Sequence, residues 1–157
     1  MFIRRYSLRL TRTADQMRQA ARSCKQNLVE GITDATVSLE MGIRLVGIAR
    51  GSARELLEDY GDYLRQNRLV TWGSSDIRTL QARYYCRLYD DPAQFVGKCT
   101  LRTDETVANI MLTQLHQLDH MLGAVLRKME EAFISQGGIK EQMSQVRRDW
   151  RRRNGGQ

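Results

Sequence analysis

The sequence predicts an all-α protein, an antiparallel up-down four-helix bundle with a short basic C-terminal helix, and three observations carry that prediction. Apolar residues recur at alternating intervals of three and four, the stripe of packed helices. Pro92 is the single proline in 157 residues. Proline removes a helix hydrogen bond and clashes with the preceding turn, so its rarity permits long helices. β-branched residues are scattered instead of alternating with polar ones, which argues against a sheet. A chain of this length suits one hydrophobic core. The expected division is a bundle over residues 1–136, then a basic helical suffix and tail over 137–157.

The first helix is expected over residues 2–30, with Ile3, Leu10, Ala14, Met17, Ala21, Cys24 and Leu28 as its stripe and Gly31 as a left-handed cap. Asp34 or Thr36 would cap a second helix whose stripe runs Leu39, Gly42, Val46, Ala49, Ala53, Leu56, Tyr60 and Tyr63. Gly42, Gly47, Gly51 and Ser52 lie inside it. Interior glycine costs about 1 kcal/mol relative to alanine, so several together imply close packing of another backbone. This helix should end near Asn67. A third helix starting at Ser74 or Ser75 would place Ile77, Leu80, Tyr84 and Leu88 on one side and stop before Asp91 and Pro92. Residues 92–102 read as a loop.

Thr103 caps the fourth expected helix, and Asp104 and Glu105 suit the positive end of its dipole. Its stripe is Ala108, Met111, Leu115, Leu118, Leu122, Val125, Met129 and Ala132, and Gly137 and Gly138 close it. Ile139, Met143, Val146 and Trp150 then mark the amphipathic suffix, and residues 154–157 are expected to be disordered.

The formal net charge is +7 and the isoelectric point about 9.7. Such a surface attracts phosphate backbones, acidic proteins or anionic membranes, and charge alone does not choose among them. No apolar run is long enough for a signal peptide, and none approaches the roughly 20 residues needed to span a bilayer. The apolar face of the suffix is thin for attachment to a membrane surface. Three cysteines, Cys24, Cys86 and Cys99, make an odd count without a CxxC pair. A reduced, cytoplasmic protein without a membrane partner is expected.

The basic clusters are the main functional signal. Arg5, Arg9 and Arg12 recur at helical spacing away from the first apolar stripe, and Arg18, Arg22 and Lys25 form a second row beside it. Arg147, Arg148, Arg151, Arg152 and Arg153 surround Trp150 in the suffix. Arginine's planar fork pairs with phosphate in two hydrogen bonds and stacks on bases, which points to nucleic acid, RNA in preference to DNA. The competing reading is a solvated surface whose arginines pair with Glu55, Glu58, Asp59 and Asp62, or a surface for a protein partner. Trp150 fits either a stacked base or packing onto the bundle. His116 and His120 have the spacing of two helical metal ligands but lack the glutamate of a zinc hydrolase, so they read as surface or interface residues. Cys24 reads as an apolar filler. Cys86 and Cys99 lack a recognisable catalytic partner. No enzyme, metal or cofactor is expected.

Several segments resemble a bacterial four-helix-bundle family that includes proteins encoded within intervening sequences of 23S ribosomal RNA genes. Asp15-Gln16-Met17, Gln19-Ala20-Ala21-Arg22-Ser23 and Asn27-Leu28-Val29-Glu30-Gly31 are similar to its first-helix signature. Ile48-Ala49-Arg50-Gly51-Ser52 and Glu55-Leu56-Leu57-Glu58-Asp59-Tyr60 are similar to its second. Ala108-Asn109-Ile110-Met111, His116-Gln117, and Ala132-Phe133-Ile134 through Gly137-Gly138-Ile139 resemble the branch with a four-helix-bundle suffix domain. The similarity covers residues 11–152. Cys24 departs from a small residue and Leu28-Val29 from a more usual Ile-Ala, both apolar exchanges. The resemblance implies a homo-oligomeric bundle, a pentamer, without known enzymatic activity. Related proteins include accessory factors of diversity-generating retroelements, basic pentamers that bind a reverse transcriptase and nucleic acid. The expected function is thus oligomeric nucleic-acid binding. The alternative is a protein-binding accessory scaffold, such as a partner subunit of a reverse transcriptase.

Overall fold

Six α-helices occupy the residues described by this computed structural model, which are Phe2, 12–88 and 91–154. They are α1 (Arg12–Asp34), α2 (Leu39–Gln66), α3 (Ile77–Leu88), α4 (Pro92–Cys99), α5 (Asp104–Gln136) and α6 (Ile139–Asn154). No strand occurs among the described residues. Helices start where a short side chain accepts one of the N–H groups that the first turn leaves unpaired. Ser38 does this for α2, accepting from the Met41 N–H at 3.3 Å. Thr103, as expected, does it for α5, accepting from the Thr106 N–H at 3.3 Å.

The capping expectations for the first two helices are corrected. Gly31 does not end α1, which continues to Asp34. Its missing Cβ instead leaves room for α2: a methyl there would stand 2.9 Å from Val46 Cγ2 and 3.0 Å from the Val46 nitrogen. Asp34 stays within α1, and the Thr36 hydroxyl donates to the Thr33 carbonyl at 2.7 Å, so Ser38 takes the cap. Gly42 is the second close approach, where a Cβ would meet Ala35 Cβ at 2.6 Å and Met129 Cε at 2.8 Å. Gly47 and Gly51 face open space, so the close packing inferred from the glycines holds at Gly42 and not at those two.

The packed helix pairs are α1 with α2, α2 with α5, and α3 with α5. Ser52 donates to Ser23 at 2.9 Å, while Val46 lies against Gly31, so α1 and α2 run in opposite directions. Tyr63 bonds Asp104, Arg50 bonds Asp119 and Gly42 meets Met129, so α5 is antiparallel to α2 as well. The core between them contains Met17, Cys24, Ala53, Leu56, Leu64, Leu112 and Leu115. Phe2 presents its ring edgewise to Tyr60 and Tyr63, at 5.1 and 4.9 Å. Burial pushes the Tyr60 phenol up to about 12. At the end of α2, Arg68 adopts a left-handed conformation (φ 53°) that lets the Leu69 N–H reach the Leu64 carbonyl at 2.9 Å. Leu69 is thereby folded back onto the core.

Other boundaries and stripes also move. In α1 Ala14 is buried as expected, but Ala20 is buried in place of Ala21, which is exposed; Ile3 and Leu10 lie outside the described residues. Residues 92–102 are not all loop: Pro92 occupies the first position of α4, where its missing N–H costs nothing, and Asp91 caps it by accepting from the Ala93 N–H at 2.9 Å. In α5, Leu112 is buried while Met111 is half-buried and Val125 exposed. Gly137 ends α5 with φ 74°, a conformation that favours glycine. Asn154 belongs to α6, contrary to the expected disorder there, and residues 155–157 lie outside the described residues.

The largest correction concerns α3. It begins at Ile77, after Asp76 accepts from the Arg78 N–H at 2.8 Å, and not at Ser74 or Ser75. Its expected core stripe faces outward, with Ile77, Leu80, Tyr84 and Leu88 at 64%, 46%, 60% and 55% exposure. Thr79 and Ala82 are buried instead. A small face permits a close approach to α5, and the large apolar face is left without a neighbour.

The glycines separate in a direct test. Gly42→Val should destabilise the protein by about 1–3 kcal/mol, because two backbones and Met129 must move. Gly47→Ala should be neutral or stabilise by up to about 1 kcal/mol, since it removes an interior glycine into open space. Urea denaturation of both variants measures the contrast. Equal effects would show that Ala35 and Met129 do not approach α2 as closely as described.

Candidate nucleic-acid interface

The basic residues singled out from the sequence occupy two separate helices. Arg12, Arg18, Arg22 and Lys25 are exposed on α1, and Arg5 and Arg9 lie outside the described residues. Arg18 is answered locally by Asp15, at 2.6 Å across one helical turn. Arg22 borders a shallow polar groove with Gln19, Ser23, Gln26, Asn27 and Glu30. Beneath it runs a polar seam, in which Asn27 Nδ2 donates to the Ser23 carbonyl at 2.9 Å and Ser23 accepts from Ser52. Arg12, Arg22 and Lys25 make no ion pair with a described residue.

Arg147, Arg148, Arg151, Arg152 and Arg153 are all exposed on α6. Arg148 donates to Ser144 Oγ at 3.0 Å and Gln145 Oε1 at 2.6 Å, which leaves its charge unneutralised. Trp150 is 65% exposed, and Met143 and Val146 are exposed beside it; the side chain of Ile139 lies outside those described. α6 forms none of the packed helix pairs, so the chain does not itself bring the two arginine rows together.

Among the described residues, the acids of α2 form no ion pair with these arginines. Among the described residues, Asp62 pairs with Arg65 on α2 itself, and Glu55 and Glu58 have no ion-pair partner. Burial, then the neighbouring Asp62 and Glu55, raises the Asp59 carboxyl above its ordinary range. His116 and His120 are both exposed, and no group of three metal-ligating side chains occurs among the described residues. Among these residues no helix is long and apolar enough to cross a membrane.

Two features escaped the sequence reading. The first is the cross-link between α2 and α5. Arg50 lies flat over Gly123, where a Cβ would stand 3.0 Å from its Nη2, and donates through Nε to Asp119 at 2.7 Å. Arg54 donates to the same carboxylate at 2.8 Å. These hydrogen bonds, Arg50's foremost, hold the Asp119 carboxyl well below the usual carboxylate range. Asp119 stands between His116 and His120 in the sequence, and its partners Arg50 and Arg54 lie on another helix.

The second is a cleft of about 330 Å³ between α3, α4, α5 and the loop at Trp72. Asn109 holds the Trp72 loop in place beside it. Buried in α5, it donates to the Val70 and Glu105 carbonyls at 2.8 and 2.9 Å and accepts from the Trp72 N–H at 2.8 Å. Trp72 Nε1 is buried without an acceptor among the described residues, an arrangement that costs about 1–3 kcal/mol. Cys86 of α3 and Cys99 of α4 both line this cleft. Cys86 accepts from Gln114 Nε2 at 3.0 Å, and burial raises the Cys99 thiol pKa. Cys24 is buried in the main core, as expected of a filler, and burial raises its pKa too.

Asp119 binds its proton more weakly in the folded than in the unfolded chain, so its contribution is present above about pH 4 and is lost as the pH falls further. Asp119→Asn should lower stability at pH 7 by about 1–3 kcal/mol. It should also flatten the loss of stability between about pH 5 and pH 2. Urea denaturation across that range measures both, and parallel acid limbs for the two proteins would contradict the assignment.

No family model, curated protein or solved structure matches the chain.

Proposed function

We propose that the protein is a non-enzymatic, oligomeric nucleic-acid-binding helical bundle that takes RNA in preference to DNA. The observation that carries this reading is the suffix helix: five exposed arginines around an exposed tryptophan, without an acid to neutralise them among the described residues apart from the local hydrogen-bonding company of Asp149 and Gln145. Arginine forks and an indole face are the groups that grip phosphate and stack on unpaired bases. Arg12, Arg18, Arg22 and Lys25 on α1, with Arg5 and Arg9, form the second row. The resemblance to the intervening-sequence protein family supports an antiparallel four-helix bundle that assembles as a homo-oligomer, a pentamer. Repetition around a ring raises avidity without new contacts.

Anisotropy titrations of single-stranded RNA, structured RNA and duplex DNA across a salt series test the proposal, using the full chain and a chain ending at Gly138. The full chain should bind with steep salt dependence. Removing five arginine contacts should reduce the slope of log K against log salt by up to about 3.5 for a single strand. Absence of binding at low salt by nucleic-acid-free protein would overturn it.

A protein-binding accessory scaffold, such as a partner subunit of a reverse transcriptase, is the second reading. The exposed apolar face of α3 favours it, because large contiguous apolar surface marks protein contact. Leu80→Lys with Leu88→Lys should then lower the assembly state or abolish partner capture while the melting temperature changes little. Unchanged light-scattering mass and capture would remove this face from any interface.

A further inference from the structure

Two of the three cysteines meet in one place. Cys86, near the end of α3, and Cys99, the last residue of α4, both line the cleft of about 330 Å³ beside Trp72, and both are free thiols. Their surroundings differ. Cys86 is half-buried, and its sulfur accepts from Gln114 Nε2 at 3.0 Å, which fixes its position against α5. Cys99 is only 4% exposed. Burial, and then the nearby Cys86, raise its pKa, so at neutral pH it is held as the thiol. A small dissolved oxidant entering the cleft therefore reaches Cys86 first, with a second sulfur in the same space. The commoner uses of paired cysteines do not fit. No histidine lines the cleft to activate a catalytic nucleophile. A zinc site needs further ligands, and no group of three metal-ligating side chains occurs among the described residues.

A disulfide needs its two Cα atoms within roughly 4.4–6.8 Å of each other. α4 is the element that adjusts to this demand. It is eight residues long, forms none of the packed helix pairs and follows α3 after residues 89–91, so its approach to α3 breaks none of those pairings. We propose that Cys86 and Cys99 are a peroxide-responsive pair, in which Cys86 is oxidised first and Cys99 resolves it to a disulfide that ties α4 to α3. In the first step the Cys86 sulfur attacks hydrogen peroxide. An S–O bond forms, the O–O bond breaks, and a sulfenic acid and water result. In the second step the Cys99 sulfur attacks the sulfenic sulfur. The S–S bond forms, the S–O bond breaks, and the oxygen leaves as water with the Cys99 proton. Two thiols and one peroxide thus become one disulfide and two waters, with the peroxide as the species reduced. Cys24 is buried in the main core and does not line the cleft, so it stays a thiol and serves as the internal control.

The test treats the reduced, folded full chain with hydrogen peroxide, then unfolds it in urea with N-ethylmaleimide to block every remaining thiol. Tryptic peptides are read without reduction by mass spectrometry. The expected product joins residues 84–87 to residues 99–102 with the loss of two hydrogens, in a chain that still runs as a monomer on a non-reducing denaturing gel. Cys24 should carry the maleimide throughout, and dithiothreitol should restore both cleft thiols. Cys99→Ser should leave a sulfenic acid at Cys86 that dimedone traps, and Cys86→Ser should leave Cys99 reduced. The wild-type cross-link decides the question if either variant misfolds. Oxidation of Cys86 to sulfinic acid beside an intact Cys99 would show that the two sulfurs do not meet, and would overturn the pair. A cross-link through Cys24, a covalent dimer, or survival of both thiols in peroxide that oxidises free glutathione would overturn it equally.

Discussion

Two helices share α2, and the fold depends on how closely α1 and α5 can approach it. That distance is set by small residues. Gly42, Val46, Ala49 and Ala53 are buried along α2, and Gly31 meets it from α1. Their lack of bulk brings backbones within reach of the Ser23–Ser52 hydrogen bond on one side and lets Met129 touch Gly42 on the other. Toward the opposite end of α2 the spacing opens, and Phe2, Tyr60 and Tyr63 fill it. Once α5 is positioned in this way, Asn109 on its buried side fixes the loop at Trp72, and the cleft follows from that clamp.

Charge is distributed by the same logic. A cross-helix ion pair forms where Gly123 lets a guanidinium lie against α5, and the other paired ions among the described residues, Arg54 apart, are local. Burial first, and then the neighbouring Asp62 and Glu55, raise the Asp59 carboxyl on α2. Exposed pairs contribute little to stability in any case. The arginines of α6 have no ion-pair partner among the described residues, which is the ground on which a phosphate-bearing partner is proposed for them.

Much of this was legible in the residues and some of it was not. The periods of three and four located α1, α2 and α5, because a helix that buries one face must repeat its apolar residues at that interval. Thr103 and Gly137 were readable as helix ends. Gly31 was misread because a glycine after an apolar stripe marks either a cap or a close contact, and only the neighbour distinguishes them. The missed α4 carried a signal, Asp91 before Pro92, which fits an N-cap followed by the first helical position. The arginine rows were visible at once, since exposure follows from distance to the stripe. The cleft was not visible, because its thiols, aromatic rings and cations come from four stretches of chain.

By itself, the sequence determined the helical class, most of the long helices and the basic character of the suffix, all properties of local hydrogen bonding and of spacing along one element. The tertiary structure decided which stripes became core. Ile77, Leu80, Tyr84 and Leu88 repeat as regularly as the stripe of α2, yet they face outward because Thr79 and Ala82 allow α3 to come nearer to α5. It also joined Arg50 to Asp119, 69 residues away, and set Cys86 beside Cys99 in one cleft. Such meetings depend on how helices cross and how near they approach, and that is fixed by the bulk of both partners together, a quantity no single stretch of sequence contains.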